Sequence, residues 1–273
     1  MLPTLVAMAH LPLPTIIAPG VGLLRAENPS EMTLDGTNSY LLFDPACTEL
    51  TARTPAVLID PGPDLQAHLH ALAAFDIQLV LITHRHADHT GGIDTLHRLT
   101  GAPVRARLEE HCREAEIFED LEVIEAAGIE VQVVFTPGHT SDSVCFIRRG
   151  ETSHLFTGDT VLGRGTTILE HPDGTLADYL ASLQRLLAMP DMALHPAHGE
   201  QHEVSHPLLQ TYLTHRESRL DQVRAALDKL GKAGADVQPA HLLELVYPGL
   251  DARLAGAASR SLEAQLHYLG LNP

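Results

Sequence analysis

One short stretch of the chain concentrates much of its chemical information: THRHADHTGG, from Thr83 to Gly92. Within six positions it places three histidines and one aspartate, His84, His86, Asp88 and His89. Imidazole and carboxylate are ligands that suit zinc and related divalent ions. If the segment is extended, alternate residues point to one side, and His84, His86 and Asp88 then converge. The stretch predicts a metal site, with a surface histidine cluster as the alternative.

Length and composition indicate a globular protein. The 273 residues, 44% of them hydrophobic, can bury the core of one large domain, or of one domain with a small appendage. The first 14 residues are apolar but contain three prolines and no Lys or Arg, so we expect no membrane partner and a cytoplasmic location. The three cysteines lack the paired spacing of a zinc site and are expected to be reduced thiols.

Charge is distributed unevenly along the chain. Residues 207–273 carry seven acidic and seven basic side chains, so the whole net charge of −17 lies in residues 1–206. A strongly acidic body repels polyanions at long range. A nucleic-acid substrate would therefore have to be held by local positive charge, including that of any bound metal ion.

The hydrophobic pattern predicts an α/β protein. Short apolar or alternating runs predict six strands, at Ser39–Phe43, Ala56–Ile59, Leu79–Thr83, Val131–Phe135, Val144–Ile147 and His154–Phe156. Helical spacing is found at Leu65–Phe75, Ile93–Leu99 and Leu176–Leu187. Runs of strands with intervening helices predict a sandwich with helices on its outer faces.

The pattern changes to helices alone after His206. One apolar stripe is formed by Leu213, Leu220, Val223, Leu227 and Leu230. Further helices are predicted at Ala240–Tyr247 and Asp251–Leu269, with a helix stop at Gly231–Gly234. We therefore expect two units, a catalytic domain over residues 1–206 and a small three-helix unit over residues 207–273.

Three more candidate ligands follow later apolar runs. They are His139 in FTPGHTSDS, Asp159 in LFTGDTVLG and His198 in LHPAHG. Each is flanked by Gly or Pro, which is typical of a tight turn at the end of a strand. Sites in α/β proteins form at such strand ends. Candidate ligands therefore follow an apolar run at four places in the sequence, counting the run that leads into His84.

In these motifs the sequence resembles the metallo-β-lactamase superfamily, over most of residues 35–200. The resemblance implies an αββα sandwich, here with a C-terminal helical, winged-helix-like appendage. It also implies two metal sites, one held by His84, His86 and His139 and the other by Asp88, His89 and His198. Asp159 would bridge the two ions, and Asp60 in LIDPG would have a supporting structural role.

The donor set implies hydrolytic chemistry. Two divalent ions about 3.5 to 4 Å apart can share a water, lower its pKa and polarise the electrophile that it attacks. We expect Zn²⁺, with Mn²⁺ or Fe²⁺ as alternatives that accept similar ligands. Asp88 is then both a ligand and the catalytic group that orients the bridging hydroxide or accepts its proton. The two ions would make a cationic floor that can accept an anionic substrate.

Single positions argue against three branches of the superfamily. Lactamases usually have cysteine where this chain has Asp159, and oxygen-handling diiron relatives have Glu where it has His86. The nucleic-acid-processing branch with a large insertion would carry that insertion between Asp159 and His198, which are only 39 positions apart. A hydrolase outside these branches is expected.

Two activities remain in competition. The segment Thr157–Leu169 and the C-terminal helices resemble the β-lactamase-like endoribonuclease branch, which favours cleavage of single-stranded RNA. A glyoxalase II-like thioesterase would share all seven ligands and suits the acidic body, but residues 207–273 lack a basic, Tyr-containing tail for glutathione. A lactone hydrolase or a catalytically silent, metal-stabilised module ranks below both.

Candidate substrate contacts lie close to the ligands in sequence. Arg85 stands between two ligands, and Arg164, Thr166 and Thr167 follow Asp159 in a Gly-flanked loop, so these side chains are placed to meet phosphate oxygens. Arg216 falls on the apolar stripe of its helix, where a charge needs a partner. For each arginine a structural ion pair is the alternative.

Overall fold

Two β-sheets form the centre of the structure, a computed structural model that describes residues 11–47, 49–230, 239–251 and 255–271. The first sheet has the order β1 (Thr15–Ala18), β2 (Val21–Arg25), β3 (Asn38–Leu42), β4 (Pro55–Ile59), β5 (Asp76–Leu81) and β6 (Val104–Arg105). The second has the order β11 (Ala193–Pro196), β10 (His154–Gly158), β9 (Val144–Arg148), β8 (Ile129–Phe135) and β7 (Val123–Ala126). Both sheets are mixed, since β4–β5, β5–β6 and β10–β11 are parallel and the other pairs antiparallel.

The helices lie outside the two sheets. They are α1 (Gln66–Leu72), α2 (Ala87–Thr90), α3 (Ile93–Thr100), α4 (Leu176–Leu187), α5 (His206–Lys229), α6 (Pro239–Val246) and α7 (Ala255–Tyr268). Strands β3, β9 and β10 are buried at every position, because they are covered on both faces. Their sequences, NSYLL, VCFIR and HLFTG, accordingly show no alternation of polar and apolar residues.

Three side-chain clusters define the layers. Tyr40 and Ile59 of the first sheet meet Phe146 and Phe156 of the second in the cluster between the sheets. A second cluster joins β4 and β5 to α1 and α3, and a third joins β9 and β10 to α4 and α5. The layer order is therefore helix, sheet, sheet, helix, which confirms the predicted αββα sandwich.

Helix α5 connects the sandwich to the C-terminal helices. The part of α5 up to Leu220 contributes Leu209, Tyr212 and Leu220 to the cluster on α4. The rest of α5 packs on α6 and α7 through Val223 and Leu227. A helical C-terminal region is thus confirmed, while its division from the sandwich at residues 206 and 207 stays a prediction. The described residues of this region form no strand.

The six predicted strands are present, with ends displaced by up to three residues. The strands that the pattern missed are β1, β2, β6, β7 and β11, which have two to five residues. The predicted helix stop at Gly231–Gly234 lies outside the described residues. The three cysteines are free, and no helix in the described ranges is long and apolar enough to cross a bilayer.

Candidate metal centre

The ligands of the opening motif lie where β5 leaves the first sheet. His86 is extended, with φ −60° and ψ 144°, and α2 begins directly after it at Ala87. The expectation that one extended segment brings Asp88 together with His84 and His86 is therefore wrong. The helical turn carries Asp88 away from those histidines, and it joins His89 and His198 instead.

The first group of side chains able to hold a metal ion comprises His84, His86, His139 and Asp159. His86 Nδ1 lies 2.9 Å from His84 Nε2 and 3.0 Å from His139 Nε2. Oδ2 of Asp159 completes the group, 3.7 Å from His139 Nε2 and 4.0 Å from His84 Nε2. Three nitrogens and one oxygen thus surround one point.

The second group comprises Asp88, His89 and His198. Asp88 Oδ2 lies 3.3 Å from His89 Nε2 and 3.1 Å from His198 Nε2. The other oxygen of Asp159, Oδ1, is 3.6 Å from His89 Nε2 and 3.3 Å from His198 Nε2. Asp159 therefore presents one carboxylate oxygen to each group, which is the arrangement that a bridging ligand requires.

The cluster fits divalent cations on its own chemistry. His89 Nε2, His198 Nε2 and Asp159 Oδ1 are buried atoms with no hydrogen-bond partner. Leaving such atoms without a partner costs about 1 to 3 kcal/mol each, so structures rarely retain them without a reason. A cation among them would satisfy all three, and the donors are those that zinc, manganese and iron accept.

The protonation states of the histidines divide along the same two groups. Burial lowers the pKa of His84 and of His139, so that each ring is neutral and offers a lone pair. Burial acts the same way on His198, but Asp159 and Asp88 outweigh it and raise the pKa of His198 to about 9. The pKa of His89 is raised by Asp88 and Asp159 for the same reason, against its burial.

Hydrogen bonds outside the cluster fix the orientation of the rings. Asp60 Oδ2 lies 2.8 Å from His89 Nδ1 and accepts a 2.7 Å hydrogen bond from the hydroxyl of Thr83. The backbone carbonyl of Ile168 lies 2.6 Å from Nδ1 of His139. A hydrogen bond at one ring nitrogen leaves the other free for a metal ion. The supporting structural role of Asp60 stays a prediction.

Two glycines allow the ligand turns to pack closely. Gly138 has φ +142°, and a Cβ there would lie 2.4 Å from the Cα of Tyr179 in α4. Gly158 has φ +51°, and a Cβ there would lie 2.7 Å from the side chain of Thr83. Only glycine fits both positions, which explains the motifs PGH and TGD beside His139 and Asp159.

The two arginines nearest to the ligands in sequence are engaged by carboxylates. Arg85 contacts Asp173 at 2.5 Å and Glu170 at 2.8 Å. Arg164 makes two hydrogen bonds to Asp35, of 2.6 and 2.9 Å. Both arginines therefore form ion pairs of the kind expected if their role is structural. A contact of either arginine with substrate stays a prediction.

The other predicted contacts lie on a loop beside the centre. Thr167 is buried and its hydroxyl donates to the backbone carbonyl of Asp159. Arg216 is 4% exposed and donates to the backbone carbonyl of Thr167, with its guanidinium 5.0 Å from the ring centre of Tyr179. Thr166, Thr167 and Arg216 all line a cavity of about 460 Å³. Contact of these residues with substrate stays a prediction.

Sequence reasoning missed Glu170, which contacts one of the candidate ligands. Its Oε2 lies 2.8 Å from Nε2 of His86, leaving Nδ1 of that ring directed at the first group. Glu170 also pairs with Arg85. The two partners, Glu170 and His86, are 84 positions apart, and Glu170 lies in no recognisable motif, so only the fold reveals the contact.

A paired His/Asp cluster at the strand ends of an αββα sandwich defines a metal-dependent hydrolase. The family model described as the metallo-beta-lactamase superfamily matches residues 32–198. The chain belongs to the metallo-β-lactamase superfamily.

Similar proteins extend this assignment. An atrochrysone carboxyl ACP thioesterase of Aspergillus fumigatus is 34% identical, over 91% of this chain and 80% of its own length. A β-lactamase-like protein 2 homolog of Drosophila melanogaster is 30% identical, over 96% and 91% of the two chains. A β-lactamase domain protein from Burkholderia ambifaria has a TM-score of 0.76 at 20% identity, covering 98% of this chain and 91% of its own, and supports the fold alone.

These comparisons do not support the predicted place in the endoribonuclease branch. Of the two sequence relatives, the one whose name states a reaction is a thioesterase. The membership of the superfamily and the hydrolase class are confirmed, and the choice of substrate made from Thr157–Leu169 is not.

Proposed function

We propose that this protein hydrolyses thioesters, with two divalent ions held by its His/Asp cluster. The observation that carries the proposal is the geometry of Asp159, whose two oxygens face the two ligand groups separately. Similarity to a thioesterase over 91% of the chain supports the choice of substrate. Thioester cleavage also suits a chain with net charge −17 better than cleavage of a polyanion does.

In this proposal the seven ligands predicted from the motifs keep their roles. His84, His86 and His139 hold one ion, Asp88, His89 and His198 hold the other, and Asp159 contacts both. The ions, when bound, supply Lewis acidity toward the carbonyl and activate water near neutral pH. Zinc is the first choice, with manganese and iron as alternatives for the same donors.

Asp88 is the proposed proton acceptor. Its side chain is 26% exposed, whereas those of His89 and His198 are buried, so it is the member of the second group that faces an incoming substrate. The hydroxyl of Thr37 lies 3.4 Å from its Oδ2 and helps to hold the carboxylate in place. The pKa of Asp88 stays well below its ordinary value because His89 and His198 outweigh the effect of burial. The group is therefore ionised.

In the proposed reaction, each bond that breaks is matched by a bond that forms. Water adds its oxygen to the acyl carbon while one proton passes to Asp88, and the carbon–sulfur bond breaks. The proton returns to the departing thiolate, so that the products are a carboxylic acid, ionised in water, and a free thiol.

A side-by-side assay tests the proposal. Metal-loaded protein is given an acyl thioester, a single-stranded RNA oligonucleotide and a lactone, and the Asp88→Asn variant is assayed in parallel. We expect the wild-type protein to hydrolyse the thioester and the Asp88→Asn variant not to hydrolyse it. Turnover of RNA or lactone with an inert thioester would refute the thioesterase assignment and leave the metal-dependent hydrolase standing.

Phosphodiester hydrolysis is the second candidate, and one observation favours it. The cavity beside the centre is lined by the arginines at positions 216, 219 and 260, a cationic surface on an acidic protein. The RNA arm of the assay addresses this alternative directly.

A further inference from the structure

The cavity of about 460 Å³ lies between the metal-side loop and the C-terminal helices. Its walls include Thr166 to Ile168 of the loop, Arg216 and Arg219 of α5, Tyr247 after α6, and Arg260 of α7. The volume is in the range of small-molecule binding sites. The cavity therefore combines part of the sandwich with part of each C-terminal helix or its flank.

Three guanidinium groups line this cavity, and no carboxylate of the described residues pairs with them. Among the described residues, Arg85, Arg105, Arg113, Arg164, Arg185 and Arg224 have ion pairs, whereas those at positions 216, 219 and 260 have none. Arg25, Arg53, Arg98, Arg107, Arg148 and Arg149 also have no recorded ion pair, but none of them lines this cavity. Glu31 also lines the cavity and has an interaction of its own. In a chain with almost twice as many acidic as basic residues, three such arginines on one cavity indicate an anionic ligand.

Arg216 shows the strongest sign of a missing partner. It is 4% exposed, and its Nε is buried with no hydrogen bond. Arg219, in contrast, donates to the backbone carbonyl of Val246 and stacks 4.7 Å over the ring of Tyr247, while Arg260 is exposed at the mouth. A buried guanidinium costs several kcal/mol to desolvate, so a charged ligand nearby would offset a real penalty.

The loop places the cavity next to the metal centre. The carbonyl of Thr167 accepts from Arg216, and the carbonyl of the next residue, Ile168, contacts His139 at 2.6 Å. A single loop therefore touches the cavity on one side and a candidate ligand on the other. A molecule bound in the cavity would need only to extend past this loop to bring another part of itself to the centre.

We propose that this cavity binds the phosphate of a 4′-phosphopantetheine thioester, the thiol-bearing arm shared by coenzyme A and acyl carrier proteins. The inference rests on the proposed thioesterase function and names its thiol carrier. Guanidinium groups form strong, paired hydrogen bonds with phosphate oxygens. Tyr247, Met32 and Leu250 supply apolar surface in the same cavity for the pantetheine chain. A single phosphate also suits an acidic protein better than the many phosphates of RNA do.

Direct binding tests the cavity without requiring catalysis. Isothermal titration of the full chain with 4′-phosphopantetheine and with pantetheine measures the contribution of the phosphate. We expect the phosphorylated compound to bind at least about tenfold more tightly, and this ratio to disappear in Arg219→Gln/Arg260→Gln. These two arginines are chosen because neither is fully buried, and Arg260→Gln alone serves if the double variant unfolds.

A matched control comes from the same helix. Arg224 is exposed, pairs with Asp221 and does not line the cavity, so Arg224→Gln should keep the wild-type ratio. Equal binding of the two compounds to the wild type, or an unchanged ratio in the double and single variants, would overturn the inference. Displacement of 4′-phosphopantetheine by a single-stranded RNA oligonucleotide at lower concentration would also overturn it, in favour of RNA.

Kinetic measurements distinguish coenzyme A from an acyl carrier protein as the carrier. They also test the thioesterase function separately from the phosphate-binding cavity. The same acyl group is presented on coenzyme A, on an acyl carrier protein and on N-acetylcysteamine, which lacks the phosphate. We expect kcat/KM at least about tenfold higher for one or both phosphorylated carriers, and this advantage should be lost in the arginine variant through a raised KM. Hydrolysis of all three at equal kcat/KM would leave the thioesterase intact but refute the cavity. Phosphate-dependent binding without hydrolysis of any thioester would support the phosphate-binding cavity but refute the thioesterase function.

Discussion

Asp60 and His89 form a buried hydrogen bond of 2.8 Å between Oδ2 of the aspartate and Nδ1 of the histidine. Asp60 is 1% exposed and His89 is fully buried. Because the carboxylate engages Nδ1, Nε2 of His89 is turned toward Asp88 and Asp159, where it has no hydrogen-bond partner. The pair thus directs Nε2 of His89 into the second ligand group.

The first prediction follows from this pair. Asp60→Asn should lower the metal affinity by about 10- to 100-fold, because an amide is a weaker acceptor and fixes the imidazole tautomer less firmly. Competition with a chromophoric chelator measures the affinity. Asp64→Asn, in the same segment but exposed, is the control and should behave as the wild type. Wild-type affinity in Asp60→Asn would remove the orienting role.

The second prediction concerns the number of metal ions. Protein purified without added metal and then saturated should contain two ions per chain, because Asp159 gives one oxygen to each group. His198→Ala removes one ligand from the second group and leaves the first complete, so we expect one tightly held ion. Elemental analysis counts them, with exposed His241→Ala as the control. A single ion in the saturated wild type would contradict the dinuclear centre.

The third prediction separates turnover from folding at Asp88. Asp88→Ala removes both a ligand and the proposed proton acceptor, so we expect kcat to fall by about a hundred- to ten-thousandfold. The side chain is 26% exposed and supports no core packing, so circular dichroism and the melting temperature of the metal-free protein should change little. Asp228→Ala, at an exposed site of α5, is the control. Near-normal kcat in Asp88→Ala would show that another group accepts the proton.

The ligand cluster was predictable because its members stand at strand ends in short motifs. In both β5 and β10 an apolar run is followed by a polar residue, and this change marks the end of the strand in the sequence. The side chains around the ligands could not be predicted in this way. Glu170 reaches His86, and Asp35 reaches Arg164, across 84 and 129 positions, and neither contact leaves a local pattern in the sequence.

The substrate was also beyond local patterns. Similarity in Thr157–Leu169 favoured RNA, yet this segment has a structural role in the fold. The hydroxyl of Thr167 donates to the backbone carbonyl of Asp159, and the backbone N–H of Leu162 donates to the hydroxyl of Tyr212. A loop that supports the shared metal centre can be alike in enzymes with different substrates. The residues that line the neighbouring cavity come from five separate segments, which only the fold brings together.

A second pair of histidines lies inside the sandwich, away from the metal centre. Nδ1 of His154 in β10 is 2.9 Å from Nε2 of His195 in β11, and His195 stacks on Phe156 at 4.9 Å. Both rings are almost fully buried. Burial lowers the pKa of His154 to about 4 and that of His195 to about 3, with the neighbouring Arg148 acting in the same direction. Both are therefore neutral in the folded protein at neutral pH.

The last prediction is a loss of stability in mild acid that depends on this pair. The unfolded chain takes up protons on these histidines near their ordinary pKa of 6.5, whereas the folded protein does not. Their stabilising contribution is therefore complete above about pH 6.5 and declines as the pH falls toward the folded-state values. From pH 7 to pH 5 each histidine should reduce the free energy of unfolding by up to about 2 kcal/mol. Urea titrations of metal-free wild type and of His154→Gln should show a shallower decline in the variant, while exposed His241→Gln keeps the wild-type slope. Parallel slopes in all three proteins would mean that the buried pair takes up protons in the folded state as readily as in the unfolded chain.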